Sequence, residues 1–236
     1  MQIRLDIKRR KSAADTPYLQ SVSYLFDDIN ETVATALTKI NRGGYKDTDG
    51  RAVTAVEWEC SCLQKKCGAC AMVIGGVPRL ACDTKLSLFQ KAGFVRIEPL
   101  RKFPVVSDLT VDRSIMFKNL RDISLWLDEE LSADEKSVDT AYDASRCLQC
   151  GCCLEVCPNF YAGGKFYGMA AGIPASKLLA QLDKGKRKAL AKQYDKHFYS
   201  GCGKSLSCKD ICPAGIETDA LMVNSNALAV FKRLFK

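Results

Sequence analysis

Short runs of alternating apolar and polar residues characterise the first part of the chain. Residues 3–9 (IRLDIKR) and 21–26 (SVSYLF) follow the two-residue period of a β-strand and are separated by a polar stretch, so they predict a hairpin. Residues 71–81 combine AMVI, the turn Gly75-Gly76 and VPRLA, which predicts a second hairpin. A last strand is expected at 95–99 (VRIEP).

One segment of this region has helical rather than strand spacing. Between Glu31 and Asn41 the apolar residues fall at positions 33, 36, 37 and 40, which share one face of a helix. Asn30 is placed to cap the N-terminus of this helix, and Gly43-Gly44 to end it. Strands, one helix and a cysteine-rich loop together predict a small α+β domain.

The pattern changes to helical spacing after residues 100–114, a segment that contains Pro104. We therefore place a domain boundary here and expect domains at 1–106 and 107–236. The helical stretches predicted in the second domain are residues 115–127, 133–146, a pair over 174–197 broken at Gly185, and 217–235.

The composition is that of a soluble globular protein. The chain has 236 residues, of which 47% are hydrophobic and 26% are charged. No apolar run approaches the roughly 18 residues that a membrane span requires. The N-terminal MQIRLDIKRRKS lacks the order of a signal peptide, in which basic residues precede an apolar block. We expect a chain that stays in the cytosol or docks on the inner face of a membrane.

The 13 cysteines lie in three tight groups. Disulfides are rare in reducing compartments, so this count favours metal or redox chemistry over a disulfide framework. The single histidine, His197, excludes zinc sites of the Cys2His2 type and Rieske ligation, since each of these needs a pair of histidines. We interpret His197 as a surface or packing residue.

The first group, 60-CSCLQKKCGACAMVIGGVPRLAC-82, contains C-x4-C-x2-C and a fourth cysteine twelve positions further on. This is the ligand spacing of a plant-type [2Fe-2S] cluster. Zinc is a poorer candidate because its sites favour two C-x2-C pairs. The predicted ligands are Cys62, Cys67, Cys70 and Cys82. Cys60 is left over.

The second group, 147-CLQCGCCLEVCP-158, is a complete C-x2-C-x2-C-x3-C-P run, as in bacterial ferredoxins. The third, 202-CGKSLSCKDICP-213, keeps the same frame but has Ser205 in the second cysteine position. In two-cluster ferredoxins the fourth cysteine of each run binds the other cluster. The geometric reason is that three closely spaced thiolates cover three corners of a cubane, and the fourth corner faces away from them.

This exchange of ligands predicts two clusters with different ligand counts. The ligands of a [4Fe-4S] cluster are Cys147, Cys150, Cys153 and Cys212. The ligands of the other cluster are Cys157, Cys202 and Cys208. A site with three thiolates suits a [3Fe-4S] cluster. A serine oxygen is also able to bind iron, so ligation of a fourth iron by Ser205 stays an open alternative. Cys152 is expected to point away from the site as a structural thiol.

The formal net charge of +8 would suit a protein that binds nucleic acid. Thiolate-ligated clusters each carry roughly −2, so three of them would lower the charge of the loaded chain to about +2. We therefore expect no nucleic acid partner. A basic run over 184–196 is interpreted as a solvated helix face, with contact to anionic lipid headgroups or an acidic partner as the alternative.

The order of these motifs resembles that of the iron–sulfur subunits of succinate dehydrogenase and fumarate reductase. The resemblance rests on the plant-type [2Fe-2S] spacing, the linker FPVVSDLTVDRS at 103–114, and the runs C-x2-C-x2-C-x3-C-P and C-x5-C-x3-C-P. It covers nearly the whole chain. It implies an α+β protein, with an N-terminal β-grasp [2Fe-2S] ferredoxin domain followed by an all-helical domain like a bacterial ferredoxin.

The resemblance also implies a role and partners. Electrons would pass between FAD on a flavoprotein subunit and a quinone near a membrane anchor, through [2Fe-2S], [4Fe-4S] and [3Fe-4S] clusters in that order. The anchor would have one or more subunits, with or without haem, on the cytoplasmic face of the membrane. No catalytic residue is expected in this chain, since succinate and fumarate would react on the flavoprotein.

Two departures from the family bear on the type of quinone. Many ubiquinone-type members have tryptophans after the first C-x3-C-P and a histidine just after the first cysteine of the third group, where this chain has NFYAGG and Gly203. CGCCLEVCPN and CGKSLSC are more similar to menaquinone-linked bacterial enzymes. Two alternatives stay open: the iron–sulfur subunit of a soluble flavoprotein enoate reductase with a non-quinone donor, and a structural iron–sulfur module in a nucleic-acid protein.

Overall fold

The structure, a computed structural model, describes residues 1–126 and 135–231. Three parts of the predicted helices lie outside these ranges: Leu127, residues 133–134 and residues 232–235. The chain divides into two compact units, Met1–Asp112 and Arg113–Lys236. The boundary expected from the sequence, between residues 106 and 107, falls inside the first unit.

The first unit is built on a five-stranded mixed sheet. Its strands are β1 Gln2–Arg9, β2 Tyr18–Leu25, β3 Ala71–Ile74, β4 Val77–Leu80 and β5 Phe94–Glu98. Their order is β2-β1-β5-β3-β4, in which β1 and β5 are parallel and the other neighbours are antiparallel. Ile3, Leu5 and Ile7 of β1 are buried, at the two-residue spacing of one sheet face. Both predicted hairpins and the last strand are therefore present.

The helix of this unit, α1, spans Val33–Asn41. Its N-cap is Thr32, whose hydroxyl accepts from the Thr35 N–H at 3.2 Å. The predicted cap, Asn30, is wrong because that residue closes the preceding turn, where its N–H donates to Asp28 Oδ1 at 2.8 Å. The hydroxyl of Thr32 instead satisfies a first-turn N–H that has no partner inside the helix.

A short two-stranded ladder occupies the predicted linker. It consists of β6 Val105–Ser107 and β7 Thr110–Val111, which pair antiparallel. The sequence did not predict it, because strands of three and two residues are too short to show an alternating period. The ladder carries the first unit past the expected boundary, as far as Asp112.

Asp108, in the turn of this ladder, fastens it to the rest of the first unit. The residue is buried and has a φ of 38°. Its carboxylate accepts from the backbone N–H groups of Arg10 and Glu57 at 2.8 and 2.9 Å, and pairs with the buried Arg9 at 3.0 Å. One side chain thus joins the ladder, the end of β1 and the segment that leads into the first cysteine group.

Within residues 113–126 and 135–231, the second unit contains helices and no strand. The helices are α2 Ser114–Asp122, α3 Glu135–Ser145, α4 Cys152–Glu155, α5 Met169–Gln181, α6 Lys184–His197 and α7 Thr218–Asn226, followed by a π-helical turn at Ala227–Phe231. Their shared core includes Ile173, Leu179, Tyr194 and Leu221.

The break between α5 and α6 lies at Leu182-Asp183 rather than at the predicted Gly185. Asp183 caps α6, since its carboxylate accepts from the N–H groups of Gly185 and Lys186 at 2.9 and 3.0 Å. A carboxylate at this end also interacts favourably with the helix dipole. The start of α6 is therefore set by the Asp183 cap, and Gly185 lies inside the first turn of this helix.

Candidate metal centres

The first cysteine group is assembled by the β3–β4 hairpin. Cys62, Cys67 and Cys70 lie in and at the end of the loop before β3, and Cys82 lies in a short 3-10 turn, Ala81–Asp83, directly after β4. The Ala81 N–H donates to the Cys70 carbonyl at 3.0 Å. This bond places Cys82 beside Cys70, although the two cysteines are twelve positions apart in the sequence.

Backbone N–H groups of the loop point at the sulfurs of this group. Gln64 and Lys66 donate to Cys62 Sγ at 3.3 and 3.4 Å, and Lys65 donates to Cys82 Sγ at 3.3 Å. Because of the first two bonds above all, the pKa of Cys62 is lowered to about 7. Such donors favour a thiolate, which is the form that binds metal.

The loop reaches this shape through an unusual backbone. Leu63 and Lys65 have φ values of 52° and 61°, and Gly68 has 75°. A non-glycine residue in this left-handed region costs about 1–2 kcal/mol. Alternation of right- and left-handed residues turns successive N–H groups to one side, which makes a concave binding site for negative charge. The loop is therefore built to surround an anionic group.

Four cysteines of the second unit line one cavity. They are the predicted [4Fe-4S] ligands Cys147, Cys150, Cys153 and Cys212. The cavity holds about 360 Å³ of space between protein atoms, part of it open to solvent.

A second cavity contains the other predicted set. Cys157, Cys202 and Cys208 line it, together with Ser205, and it holds about 410 Å³ on the same measure. Cys153 lines this cavity as well as the first, so the two cavities adjoin. The side chains of Phe166, Met169, Phe198 and Met222 complete an apolar wall.

The donor chemistry of these sites fits iron–sulfur clusters better than a single ion. Thiolates are the ligands of such clusters. Among residues 1–126 and 135–231, no three His, Cys, Asp or Glu side chains converge closely enough to hold one metal ion. Cysteines that share a wide cavity without converging on one point suit a multi-iron body, whereas zinc would need sulfurs at about 2.3 Å from a common centre.

The two cysteine runs of the second unit repeat the same backbone. Two and four residues after the first cysteine, Gln149 and Gly151 have φ values of 49° and 87°, and Lys204 and Leu206 have 55° and 56°. The third group thus keeps the left-handed residues on both sides of Ser205, although neither is glycine. A loop that had lost its role would have no reason to retain this strain.

The two surplus cysteines differ in environment. Cys60 is exposed. Cys152 is fully buried and lines neither cavity, and it is hydrogen-bonded to Cys150, which lowers the pKa of the Cys150 thiol to about 7. Burial, by contrast, raises the pKa of Cys147 to about 11. Cys152 therefore acts on a predicted ligand without belonging to the ligand set.

Among the described contacts, two further polar side chains hydrogen-bond to predicted ligand sulfurs, and the sequence analysis missed both. Gln149 Nε2 lies 3.3 Å from Cys147 Sγ, and the buried Thr218 hydroxyl lies 3.7 Å from Cys208 Sγ. The position of Gln149 between two ligands was the one available signal. Thr218 gave none, because its contact depends on how α7 packs.

His197 lies away from both cysteine cavities. Its ring stacks on Tyr167 at 4.3 Å between centroids, and its Nδ1 is 2.9 Å from the Lys165 carbonyl oxygen. These are packing contacts, as the sequence analysis expected.

The basic run forms an exposed stripe on α6. Lys188, Lys192 and Lys196 are all exposed and are spaced four residues apart, on one side of the helix. None of them forms an ion pair within the described part of the chain. Like charges at this spacing repel one another by a few tenths of a kcal/mol, about 0.2–0.5 per pair.

Comparison with known families identifies the class of protein. The family model described as "2Fe-2S iron-sulfur cluster binding domain" matches residues 4–118, and the model described as "4Fe-4S dicluster domain" matches residues 143–216. The chain is therefore an iron–sulfur protein with two cluster-binding regions. These regions contain the cysteine groups described above.

Relatives narrow this class to one family. The chain is 35% identical to the succinate dehydrogenase iron-sulfur subunit of Bacillus subtilis, over 91% of this chain and 87% of the relative. It is 29% identical to the fumarate reductase iron-sulfur subunit of Haemophilus influenzae, over 69% of this chain and 71% of the relative. The chain belongs to the family of iron–sulfur subunits of succinate dehydrogenase and fumarate reductase, and is an electron-transfer subunit of an oxidoreductase complex.

A solved structure has the same fold. A chain of the Mycobacterium smegmatis Sdh1 complex in the apo form aligns with a TM-score of 0.80 and 24% identity, and the alignment covers 100% of this chain and 98% of the other. The α+β fold of the family, predicted from the sequence, is thus confirmed. In the described residues no helix is both long enough and apolar enough to cross a membrane.

Proposed function

We propose that this chain carries electrons between FAD on a flavoprotein subunit and a quinone, with menaquinone favoured, at a membrane anchor. The route runs through [2Fe-2S], [4Fe-4S] and [3Fe-4S] clusters in that order. The observation that carries this proposal is the pair of adjoining cysteine cavities that share Cys153. Centres held in adjoining cavities would lie close enough for direct electron exchange, which a structural metal site does not need.

The first centre is proposed as a plant-type [2Fe-2S] cluster on Cys62, Cys67, Cys70 and Cys82. The strand order β2-β1-β5-β3-β4, with one parallel pair, supports a β-grasp ferredoxin domain, predicted as residues 1–106. The N–H groups aimed at Cys62 and Cys82 would stabilise added negative charge on those sulfurs.

The other two centres are proposed for the helical ferredoxin-like domain, predicted as residues 107–236. The ligands of the [4Fe-4S] cluster would be Cys147, Cys150, Cys153 and Cys212. The ligands of the [3Fe-4S] cluster would be Cys157, Cys202 and Cys208. Ser205 supports the three-iron assignment, because a neutral hydroxyl takes the place of the fourth thiolate. When bound, the clusters supply one-electron redox chemistry.

The chain's own residues would control the surroundings of these centres. Phe166, Met169, Phe198 and Met222 would exclude water from the third site and lower its dielectric. The Arg113 guanidinium donates to the Cys150 carbonyl at 3.2 Å and adds positive charge beside the second site. Burial and fixed charges of this kind set cluster potentials.

The proposed partners are a FAD-containing flavoprotein and one or more membrane anchor subunits, with or without haem, and no nucleic acid. The chain would then be peripheral, on the cytoplasmic face of the membrane. The lysine stripe of α6 supports a contact with anionic lipid or an acidic partner, since its mutual repulsion would be relieved there. Its relatives, the iron–sulfur subunits of succinate dehydrogenase and fumarate reductase, support the complex itself.

Affinity purification from native membranes, with electron paramagnetic resonance on the same sample, tests this proposal. We expect a flavin-bearing subunit and an anchor to co-purify, and signals from all three cluster types. If no flavoprotein co-purified with the chain, the proposed electron route would be wrong. If the flavoprotein came down from the soluble fraction without an anchor, the soluble enoate reductase would be favoured instead. A missing [3Fe-4S] signal in the oxidised sample would contradict the assignment at Ser205.

A further inference from the structure

Gln149 occupies an unusual place between two predicted ligands of the [4Fe-4S] cluster. Its side-chain Nε2 donates to Cys147 Sγ at 3.3 Å and to the Ala170 carbonyl oxygen at 2.9 Å. Its backbone has a φ of 49°, and its backbone N–H also donates to Cys147. The left-handed backbone turns both donors of one residue onto one sulfur.

The chemistry of the neighbours fixes which end of the amide faces the sulfur. An amide nitrogen carries two hydrogens, and the two neighbours on that side, a cysteine sulfur and a carbonyl oxygen, are both acceptors. The other end of the amide, Oε1, is buried and accepts no hydrogen bond. Rotating the amide would place Oε1 against two acceptors, so only the observed orientation provides hydrogen bonds.

The Ala170 carbonyl is available to Gln149 because of a proline. In a helix, this carbonyl would accept from the N–H four residues later, which is position 174. Pro174 lies inside α5 and has no N–H. The Ala170 oxygen, near the start of α5, therefore lacks its helical donor, and the Gln149 amide supplies one. Pro174 thus leaves free the acceptor that holds the amide against Cys147.

The matching residue in the third group has no such role. Lys204 stands at the same place in its run and has a similar φ of 55°. Its ammonium lies over the Tyr199 ring, 5.2 Å from the centroid. The two ligand loops thus share a backbone shape, but among their described contacts only the loop of Cys147 has a side-chain amide on a ligand sulfur.

We infer that Gln149 is a positioning residue that raises the reduction potential of the [4Fe-4S] cluster, held in place by the Ala170 carbonyl that Pro174 leaves free. This inference rests on the proposed function. One-electron reduction adds one negative charge to the cluster, shared with its cysteine sulfurs. An N–H directed at Cys147 Sγ stabilises that added charge, so its removal makes reduction harder.

The test is Gln149→Met in the purified complex, since methionine has similar length and no donor. The midpoint potentials of all three clusters are measured by redox titration followed by electron paramagnetic resonance. We expect the [4Fe-4S] midpoint to shift to lower potential while the [2Fe-2S] and [3Fe-4S] midpoints stay in place. Gln193→Met is the matched control, because Gln193 lines a cavity that contains no cysteine. It should move no midpoint.

A second variant keeps the inference testable if the complex with Gln149→Met does not assemble its [4Fe-4S] cluster. Pro174→Ala returns an N–H to Ala170 and weakens the hold on Gln149, so we expect a smaller shift in the same direction. An unchanged or raised [4Fe-4S] midpoint in Gln149→Met, or in Pro174→Ala if Gln149→Met lacks the cluster, would overturn the inference. Loss of the [4Fe-4S] signal from the unsubstituted complex would instead overturn the proposed function.

Discussion

At position 205 a hydroxyl stands where the matching run has the Cys150 thiol. The flanking residues Lys204 and Leu206 keep the left-handed backbone of a ligand loop. Ser205 lines the cavity of the third group together with Cys157, Cys202 and Cys208. The site therefore differs from a four-ligand site by one atom type, and the loop needs no rebuilding to accept a thiol.

Ser205→Cys should convert the proposed [3Fe-4S] centre into a four-iron centre. We expect the [3Fe-4S] resonance of the oxidised protein to disappear and the iron content to rise by one per chain. The measurement is electron paramagnetic resonance combined with iron analysis.

Ser207→Cys is the matched control, because Ser207 is exposed in the same loop, does not line the cavity, and donates to the Ser205 hydroxyl at 3.2 Å, so it also tests loss of that contact. The three-iron resonance should persist in this variant. Its persistence in Ser205→Cys, at full iron loading, would show that the serine position does not face the missing corner.

At the scale of elements, the grouping of the cysteines was predictable because their spacing within each group is local. The strands and hairpins were also predictable, since residues 3–8 of β1 and 21–24 of β2 alternate, although β2 begins at Tyr18, three residues before the predicted start. The helix starts at Thr32 and Asp183 were misjudged because neighbouring residues compete as caps. Gln149 and Ala170 come into contact only when α5 packs on its neighbours. Their contact therefore could not be predicted from the pattern of apolar and polar residues.

The β6–β7 ladder gives an element-scale prediction. Asp108→Ala removes the carboxylate that pairs with the buried Arg9 guanidinium and takes the acceptors from two backbone N–H groups. We expect the free energy of unfolding of the first unit to fall by about 3–5 kcal/mol, the usual effect of removing one partner of a buried ion pair. Denaturant titration followed by circular dichroism at the [2Fe-2S] absorption bands measures it.

An exposed ion pair provides the comparison. Asp49 and Arg51 pair at 3.5 Å with their side chains 65% and 77% exposed, so Asp49→Ala should have little effect. Equal effects from both substitutions would show that burial of the Asp108 pair does not matter.

At the scale of the whole molecule, the two units hold their cysteines differently. In the second unit Cys147, Cys153, Cys202, Cys208 and Cys212 pack against the main core. In the first unit Cys67 is exposed, and the loop that holds it lies outside the sheet. Metal at a site within a core contributes to folding, whereas metal in a surface loop orders that loop.

Removal of iron should therefore affect the units unequally. After treatment with an oxidant and a chelator, we expect helices α5–α7 to lose protection from hydrogen exchange while β1 and β2 keep theirs. Hydrogen exchange with mass spectrometry, resolved by peptide, measures this difference. A uniform loss of protection in both units would contradict it.

The wall shared through Cys153 also bears on how tolerant the chain is of substitutions. Each of the two cysteine runs supplies proposed ligands to both centres: Cys153 and Cys157 lie four residues apart in one run, and Cys208 and Cys212 in the other. Electron exchange falls steeply with distance, so a gap that packing could change would vary with each core substitution. A substitution that moves one run would therefore move ligands of both proposed centres together, which limits the change in their separation.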